Sequence, residues 1–318
     1  MPAASDLRPL LCLRRLLGSA VLAAAAVTAV AAQAAPAATT ILFVGNSFTY
    51  GDPAGAAPTV KSYRPDTVTD LNGSGIGGVP ALFKAFTEQA GLHYEVSLET
   101  IPGAGLNDHY DKKLATIAKP WDLVVLQSYS TLDARQPGNP ATLIKYAGLL
   151  AQAFHDKNPK VRVMLNATWS RADQTWKPGG AWYGKPIGQM ALDVRRGYDA
   201  ADAASALIDG VIPVGEAWNR AIAGDLADPN PYDGIGPGQI NLWAPDNYHA
   251  SIHGYYLEAL TIFGSVTGKD PRTLGANERV ARDLGIDPSV AGALQGFAAA
   301  QLASRQRPAS EPPAGKLR

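Results

Sequence analysis

Short apolar runs that alternate with longer amphipathic segments place this chain in the α/β class. The segment from Trp121 to Leu126 carries a continuous apolar run, which is typical of a strand in a sheet covered on both faces. The predicted strands are 39–45, 94–101, 121–126, 161–167 and 210–214, and the predicted helices are 79–90, 106–118, 141–156, 187–206, 216–223, 250–267 and, with a break, 279–304. This alternation predicts βαβ units, a mainly parallel central sheet and a three-layer α/β/α sandwich.

The first 34 residues have the organisation of a secretory signal peptide. Arg8, Arg14 and Arg15 precede an apolar run that ends at the small residues Ala32-Gln33-Ala34, where cleavage is expected. A membrane-spanning helix is disfavoured, because the apolar core is short and no basic stop-transfer segment follows. We therefore predict export to the periplasm or the medium, a single domain over residues 35–304 and a disordered tail over 305–318.

Composition excludes several classes of function. The single cysteine, Cys12, lies in the predicted signal peptide, so a cysteine nucleophile and a cysteine-ligated zinc site are both excluded. The full chain has 28 basic and 28 acidic residues, and loss of three basic and one acidic leader residues leaves 25 and 27. A nearly neutral chain without a basic stripe or a basic amphipathic helix is not expected to bind nucleic acid or a membrane surface. The expected partner is a small or neutral molecule.

A serine follows the first predicted strand at the position where such sheets bind ligands. The apolar run ends at Gly45, and Asn46 and Ser47 come next. Residues just beyond the carboxyl end of a strand in an open α/β sheet face the ligand-binding crevice. Ser47 is therefore a candidate nucleophile. Serine and asparagine are also ordinary turn and helix-capping residues, which is the alternative interpretation.

Asp246 and His249 stand three residues apart, just before the helix predicted to begin at Ala250. Acyl transfer by a serine needs a base for the hydroxyl proton and a carboxylate to orient that base. The same aspartate could simply cap the helix. His253 follows His249 at a spacing that also occurs in zinc sites, so a metal-dependent hydrolase using Asp246, His249 and His253 remains an alternative.

Gly-Asn-Ser-Phe-Thr after the first strand and Asp-x-x-His before the last long helix together resemble the SGNH (GDSL-like) hydrolases. The resemblance is to a divergent branch whose first block has this sequence, and it extends from Ile41 to about Leu260. It implies a flavodoxin-like fold and an acyl-enzyme mechanism without a cofactor. It also implies that Ser47 is the nucleophile, His249 the general base and Asp246 the residue that orients the base.

The resemblance further implies an oxyanion hole built from the Ser47 N–H, a glycine N–H and a side-chain amide. Gly103, in the segment after the second predicted strand, is the expected glycine, with Gly105 as the alternative. The third block departs from the usual Gly-x-Asn-Asp, because this chain has Gln127 after its third predicted strand. Gln127 can offer the same kind of N–H and is predicted to be the third donor. A purely structural role is the alternative.

Aromatic residues in the 169–188 loop predict a substrate-binding surface. Trp169 and Trp182 belong to this loop, and Trp243 stands close to Asp246. Aromatic faces suit a sugar ring or an acyl chain, although packing of a long loop explains them equally well. The sequence thus predicts an exported serine esterase acting on a carboxylic ester, with a carbohydrate O-acyl group as the favoured substrate. A non-catalytic carbohydrate-binding protein with the same fold is the alternative from another class.

Overall fold

Six parallel strands form the central sheet, in the order β2-β3-β1-β4-β5-β6. The computed structural model describes residues 37–52 and 59–305, so the predicted signal peptide and residues 306–318 of the predicted tail lie outside the described residues. The strands are β1 (Thr39–Gly45), β2 (Thr69–Asp70), β3 (Tyr94–Thr100), β4 (Leu123–Leu126), β5 (Arg162–Ala167) and β6 (Val211–Pro213). Without the two-residue β2, the strand order is that of flavodoxin-like sheets.

Helices cover both faces of the sheet. They are α1 (Ser47–Tyr50), α2 (Gly78–Gln89), α3 (Leu106–Ile117), α4 (Ala141–His155), α5 (Ala172–Thr175), α6 (Gly188–Ala203), α7 (Val214–Ala223), α8 (Ile252–Thr267), α9 (Arg279–Asp283) and α10 (Pro288–Arg305). Short 3-10 helices span Pro65–Thr67 and Pro271–Leu274. Within the described residues, no helix has the length and apolar character needed to cross a bilayer.

The two faces of the sheet bury two separate apolar cores, as the period-2 geometry of strands requires. Ile41 and Phe43 of β1 point into a core shared with α2, α7, α8 and α10. Leu42 and Val44, the alternate residues, point into a core shared with α3, α4 and α6. The predicted three-layer α/β/α sandwich with a mainly parallel sheet is therefore confirmed.

Two short helices and one strand were absent from the prediction. The strand β2 is only two residues long, and α1 and α5 have four residues each. Elements this short carry too few residues to show a hydrophobic period. The predicted break in the last helix lies between α9 and α10, where Gly285 adopts a left-handed φ of 71°.

The sheet topology places the ends of several strands beside one another. The chain leaves β1 to form β3 on one side and β4 on the other, so β1 is the topological switch point, where ligands bind in such folds. In register, Gly45 at the end of β1 lies beside Thr100 of β3, and Val44 lies beside Leu126 of β4. The segments that follow β1, β3 and β4 therefore meet at one edge of the sheet.

Candidate active site

A chain of two hydrogen bonds joins Ser47, His249 and Asp246. The Ser47 Oγ lies 2.8 Å from Nε2 of His249, and Nδ1 of the same ring lies 2.6 Å from Oδ2 of Asp246. Ser47 is 5% exposed and His249 8% exposed, so both side chains are largely shielded from water. The structure thus brings together the three residues to which the sequence assigned the chemistry.

Asn46 shapes the turn that presents Ser47. Its Oδ1 accepts the N–H of Phe48 at 3.1 Å and so caps α1, whose first residue is Ser47. Its Nδ2 donates to the carbonyl oxygens of Ala104, at 2.8 Å, and Ser128, at 3.2 Å. A single buried side chain therefore ties the serine turn to the segments that follow β3 and β4.

Close packing requires a glycine immediately before this turn. A Cβ atom on Gly45 would lie 2.6 Å from Oε1 of Gln127 and would also collide with the Thr49 side chain. A larger residue here would displace the hydrogen bonds that fix the direction of Ser47. The glycine of the first block is thus explained by the space that Gln127 and Thr49 occupy.

The loop before α8 is a tight turn that holds Asp246 against His249. Asn247 has a left-handed φ of 57°, and the Ala244 N–H donates to the His249 carbonyl at 2.8 Å. Asp246 Oδ1 accepts the backbone N–H groups of Tyr248, at 3.0 Å, and His249, at 2.9 Å. The Asp-x-x-His spacing therefore brings both the ring and the backbone of the histidine to one carboxyl group.

These contacts set the ionisation of Asp246. Partial burial by itself would raise the pKa of the Asp246 carboxyl. The hydrogen bond from the His249 ring and those from the backbone N–H groups of Tyr248 and His249 outweigh it, and the pKa of Asp246 is lowered below its usual value. The carboxylate is thus ionised at neutral pH and accepts the proton on Nδ1 of His249, which leaves Nε2 as the acceptor facing Ser47.

Such an arrangement can carry out acyl transfer. A neutral imidazole within hydrogen-bond distance of a serine hydroxyl can remove its proton as the oxygen attacks a carbonyl. The ionised Asp246 fixes the tautomer and stabilises the imidazolium that forms.

Two backbone N–H groups, those of Ser47 and Gly103, are free to donate a hydrogen bond. Among the described residues, neither the Ser47 N–H nor the Gly103 N–H has a hydrogen-bond acceptor. Gly103 lines the cleft next to Asn46 and has a left-handed φ of 65°. Gly105, the alternative, donates its N–H to Oδ2 of Asp108 at 3.3 Å and packs against the Tyr129 ring. The geometry favours Gly103.

The donor role predicted for Gln127 requires a correction. Its Oε1 accepts the Asn46 N–H at 3.0 Å and the Thr49 hydroxyl at 3.1 Å, and its Nε2 donates to the Ser128 carbonyl. The Oε1 atom and one of the two Nε2 N–H groups are thus engaged, and only 1% of the residue is exposed, so burial keeps the Gln127 amide from a substrate. Gln127 stabilises the serine turn through these hydrogen bonds, which is the structural role that the sequence analysis gave as the alternative.

The predicted tryptophan surface also requires a correction. Trp169 is fully buried and stacked between Phe48 and Trp218, with ring centroids 4.2 and 4.7 Å away. Trp243 is 1% exposed and donates its indole N–H to the Ser170 carbonyl at 2.9 Å. Trp169 and Trp243 therefore belong to the core and offer no face to a substrate.

Trp182 lines a different cleft from the one beside Ser47. The cleft that Trp182 lines has a volume of about 380 Å³, and Pro137, Gly138 and Arg196 also border it. The Trp182 indole N–H donates to Oδ2 of Asp193 at 2.9 Å. The prediction made Trp182 part of the substrate-binding surface, and the structure places it in this separate cleft.

The cleft next to Asn46, the residue before Ser47, contains Arg171 and Tyr248, which the sequence analysis overlooked. It has a volume of about 200 Å³ and is lined by Asn46, Gly103, Tyr129, Ser130, Thr131, Ala134, Arg171 and Tyr248. Arg171 stacks on Tyr248, with its Cζ 3.7 Å from the ring centroid. Arg171 comes four residues after the end of β5, on the same edge of the sheet as the serine turn. That position was the signal that could have identified it.

His109 and His253 lie outside this cleft. His109 is fully buried, and its Nδ1 lies 2.5 Å from Oε2 of the equally buried Glu99. His253 is in the first turn of α8, where burial lowers the pKa of its ring. The described residues contain no group of three or more His, Cys, Asp or Glu side chains able to hold a metal ion, so His253 does not join Asp246 and His249 in such a group.

Comparisons with known proteins agree on the fold. No family model matches the chain, and no curated protein sequence matches it. Among solved structures, a DUF4886 family protein from Bacteroides uniformis is 18% identical and aligns over 85% of this chain and 97% of its own, with a TM-score of 0.55.

Two esterases also match over most of their lengths. The family 3 carbohydrate esterase from Clostridium thermocellum is 15% identical over 71% of this chain and 94% of its own, with a TM-score of 0.45. The M. smegmatis aryl esterase is 16% identical over 73% of this chain and 99% of its own, with a TM-score of 0.43. The chain thus has the flavodoxin-like α/β/α fold that its strand order shows, and it shares this fold with the DUF4886 family protein over most of both chains.

Proposed function

We propose that this protein is a serine esterase that hydrolyses a carboxylic ester through an acyl-enzyme. The observation that carries the proposal is the hydrogen-bonded chain from Ser47 through His249 to Asp246. In the first half-reaction, the Ser47 Oγ attacks the ester carbonyl while His249 Nε2 takes the hydroxyl proton. The Ser47 and Gly103 N–H groups stabilise the negative carbonyl oxygen, and removal of one such donor typically costs about 2.7–4 kcal/mol of barrier.

Collapse of the tetrahedral intermediate completes the acyl transfer. The ester C–O bond breaks, and the proton on His249 passes to the departing alcohol. Water then attacks the acyl group on Ser47, with His249 as the base, and the carboxylic acid leaves with Ser47 restored. The balanced reaction needs water alone, and no cofactor is part of it.

The shape of the cleft supports a short acyl group and a polar alcohol. A cleft of about 200 Å³ is smaller than the roughly 300–1,000 Å³ of ordinary small-molecule sites, which favours a short acyl group over a long one. Asn46, Ser130, Thr131 and Arg171 give it a polar lining. We propose that the substrate is a carbohydrate O-acyl ester, such as an O-acetyl group. We further propose that the protein acts outside the cytoplasm after losing residues 1–34.

Hydrolysis of p-nitrophenyl esters tests this function. The mature protein should hydrolyse the acetate and lose activity as the acyl chain lengthens, because only a short chain fits the cleft. Ser47→Ala should abolish turnover, whereas the matched Ser74→Ala, at an exposed residue outside the cleft, should not. Turnover that persists in Ser47→Ala would contradict the proposal. Loss of turnover on chelation would favour the metal-dependent alternative, and sugar binding without turnover would favour the non-catalytic one.

A further inference from the structure

Arg171 is held rigidly in the wall of the cleft. Its Nε donates to Oδ1 of Asp173 at 2.9 Å and its Nη2 to Oδ2 at 2.6 Å, which is the bidentate geometry of a strong ion pair. The guanidinium stacks on the Tyr248 ring, whose centroid lies 4.1 Å from that of His249. The side chains of Arg171 and Asp173 are 15% and 18% exposed. The Arg171 guanidinium is therefore fixed, and only the Tyr248 ring lies between it and the candidate base His249. It is positioned to contact a substrate.

The hydrogen bonds of Arg171 leave part of its donor capacity unused. Two of its five N–H groups bond to Asp173, and a third reaches the Ser130 Oγ at a long 3.4 Å. Within the described part of the chain, the other two N–H groups have no acceptor. Asp173 donates its own backbone N–H to the Asn247 carbonyl at 3.1 Å, so the pair is anchored to the loop that carries His249.

The local charge favours a neutral substrate group over an anion. Asp173 neutralises the charge of Arg171 through their bidentate ion pair, so a carboxylate or phosphate on the substrate would meet a pair without net charge. A hydroxyl group suits the site better, because its oxygen can accept from the N–H groups of Arg171 that Asp173 does not use.

We propose that Arg171, held in place by Asp173, recognises a free hydroxyl group next to the ester, so that the substrate is a partially acylated neutral sugar or other polyol. This inference rests on the proposed esterase function and assigns its alcohol specificity to Arg171, with Asp173 as a positioning residue. It implies that a fully acylated sugar, which has no free hydroxyl, is a poorer substrate than one with a single acyl group. It also implies that a sugar carboxylate gains nothing from Arg171.

The ratio of kcat/KM between substrates, measured in Arg171 variants, tests the inference. The substrates are each methyl xyloside carrying one acetyl group, the fully acetylated methyl xyloside, a monoacetylated methyl glucuronoside and p-nitrophenyl acetate. The variants are Arg171→Met and Arg171→Lys, with Arg196→Met as the matched control. Arg196 also pairs with an aspartate, Asp193, but its side chain is 69% exposed and lines the other cleft. Melting temperatures identify any variant that fails to fold.

We expect Arg171→Met to lower the ratio of kcat/KM for the best monoacetylated xyloside to that for p-nitrophenyl acetate by about 10- to 100-fold, chiefly through KM. Arg171→Lys, which keeps the charge and loses the planar fork, should recover only part of that ratio. Arg196→Met should keep the wild-type ratio. An unchanged ratio in Arg171→Met, or an equal fall for the fully acetylated xyloside, would overturn the inference. A larger loss for the glucuronoside would show that the pair recognises an anion instead.

Binding without turnover separates this inference from the esterase proposal. Calorimetric titration of Ser47→Ala with the monoacetylated xyloside should give a Kd that rises about 10- to 100-fold in Ser47→Ala/Arg171→Met. If the wild-type protein hydrolyses no ester yet this difference is found, the esterase proposal fails and the hydroxyl recognition stands. If esters are hydrolysed and the two Kd values are equal, the hydroxyl recognition fails alone.

Discussion

The Ser47 Oγ lies 2.8 Å from Nε2 of His249, although 202 positions separate the two residues in the chain. Ser47 follows the central strand β1, and His249 precedes α8, which packs against the same face of the sheet as α2. The contact therefore depends on the folded topology, because no local segment could create it. Each residue is also fixed by hydrogen bonds within its own turn, from Asn46 on one side and from Asp246 on the other.

Asp246→Asn tests the orienting role of the carboxylate. An amide facing Nδ1 favours the tautomer with the proton on Nε2, which cannot accept the Ser47 proton. We expect kcat for p-nitrophenyl acetate to fall on the order of 10³–10⁴-fold with little change in KM. Asp111→Asn, at an exposed residue of α3, is the matched control. A fall of less than tenfold would show that Asp246 does no more than cap the turn.

The pKa of Asp246 predicts a pH dependence of stability for the same variant. Because this pKa is lower in the folded state than in the unfolded chain, the carboxylate stabilises the fold above the unfolded value. That contribution is lost as the pH falls through the lowered folded value. Asp246→Asn should therefore be less stable than wild type at neutral pH and approach it in acid, as followed by urea unfolding. A difference that stays constant with pH would contradict this.

The contact between Gln127 and Thr49 predicts coupled effects on the serine turn. Gln127→Ala leaves the Asn46 N–H and the Thr49 hydroxyl without their acceptor, which should cost about 1–3 kcal/mol of unfolding free energy. Thr49→Val removes one of these donors, so the double variant should be less destabilised than the sum of the two single variants. Urea unfolding of the four proteins measures this coupling. Strict additivity, with a fall in kcat alone, would instead support Gln127 as an oxyanion donor.

The buried position of Trp169 predicts that its substitution lowers the stability of the fold and leaves substrate binding unchanged. It fills the space between Phe48 and Trp218 in the core, so Trp169→Ala should lower the free energy of unfolding by about 3–5 kcal/mol. Trp176, which is 37% exposed, provides the control, and Trp176→Ala should cost about 1 kcal/mol or less. In the milder Trp169→Phe, KM should change little. A large rise in KM without any loss of stability would restore Trp169 as a substrate contact.

The buried carboxyl of Glu258 predicts a second pH dependence of stability, opposite in sign to that of Asp246. Complete burial raises the pKa of its carboxyl from 4.5 to about 8, partly offset by a hydrogen bond from Asn166. The folded protein therefore retains a proton that the unfolded chain releases, and the stability present below pH 4.5 decreases as the pH rises to about 8.

Glu258→Gln removes this titration. Between pH 4.5 and about pH 8, the free energy of unfolding of Glu258→Gln should increase relative to that of the wild type, by an amount on the order of a few kcal/mol. Glu95→Gln, at an exposed residue of β3, is the control and should follow the wild-type curve. Parallel curves for wild type and Glu258→Gln would show that burial does not shift this carboxyl.

The strands were predictable because their apolar runs mark them directly, and Gly45 marks the end of β1. Ser47 was a candidate because it follows the end of β1, where such sheets bind ligands. It was paired with Asp246 and His249 by the base and the carboxylate that acyl transfer needs. Gln127 could not be assigned, because a sequence tells which hydrogen bonds an amide can make but not which are already used. Here Asn46 and Ser128 use both ends of the amide.

Burial limited the prediction in the same way. Trp169 and Trp243 looked like substrate contacts because aromatic residues in loops are often exposed, and only the packing of Phe48 and Trp218 shows that they are core residues. Arg171 was overlooked for the reverse reason, because a single arginine in a long loop usually faces solvent. Its partner Asp173 and the ring of Tyr248 give it a fixed position that composition does not reveal.

Covalent labelling with a fluorophosphonate, read by intact mass and peptide mapping, tests the central claim most directly. The claim is that Ser47 is a nucleophile activated by His249 and Asp246. We predict one adduct per mature chain, located on Ser47, absent in Ser47→Ala and formed far more slowly in His249→Ala. A folded wild-type protein that takes up no adduct, or an adduct that persists in Ser47→Ala, would contradict it.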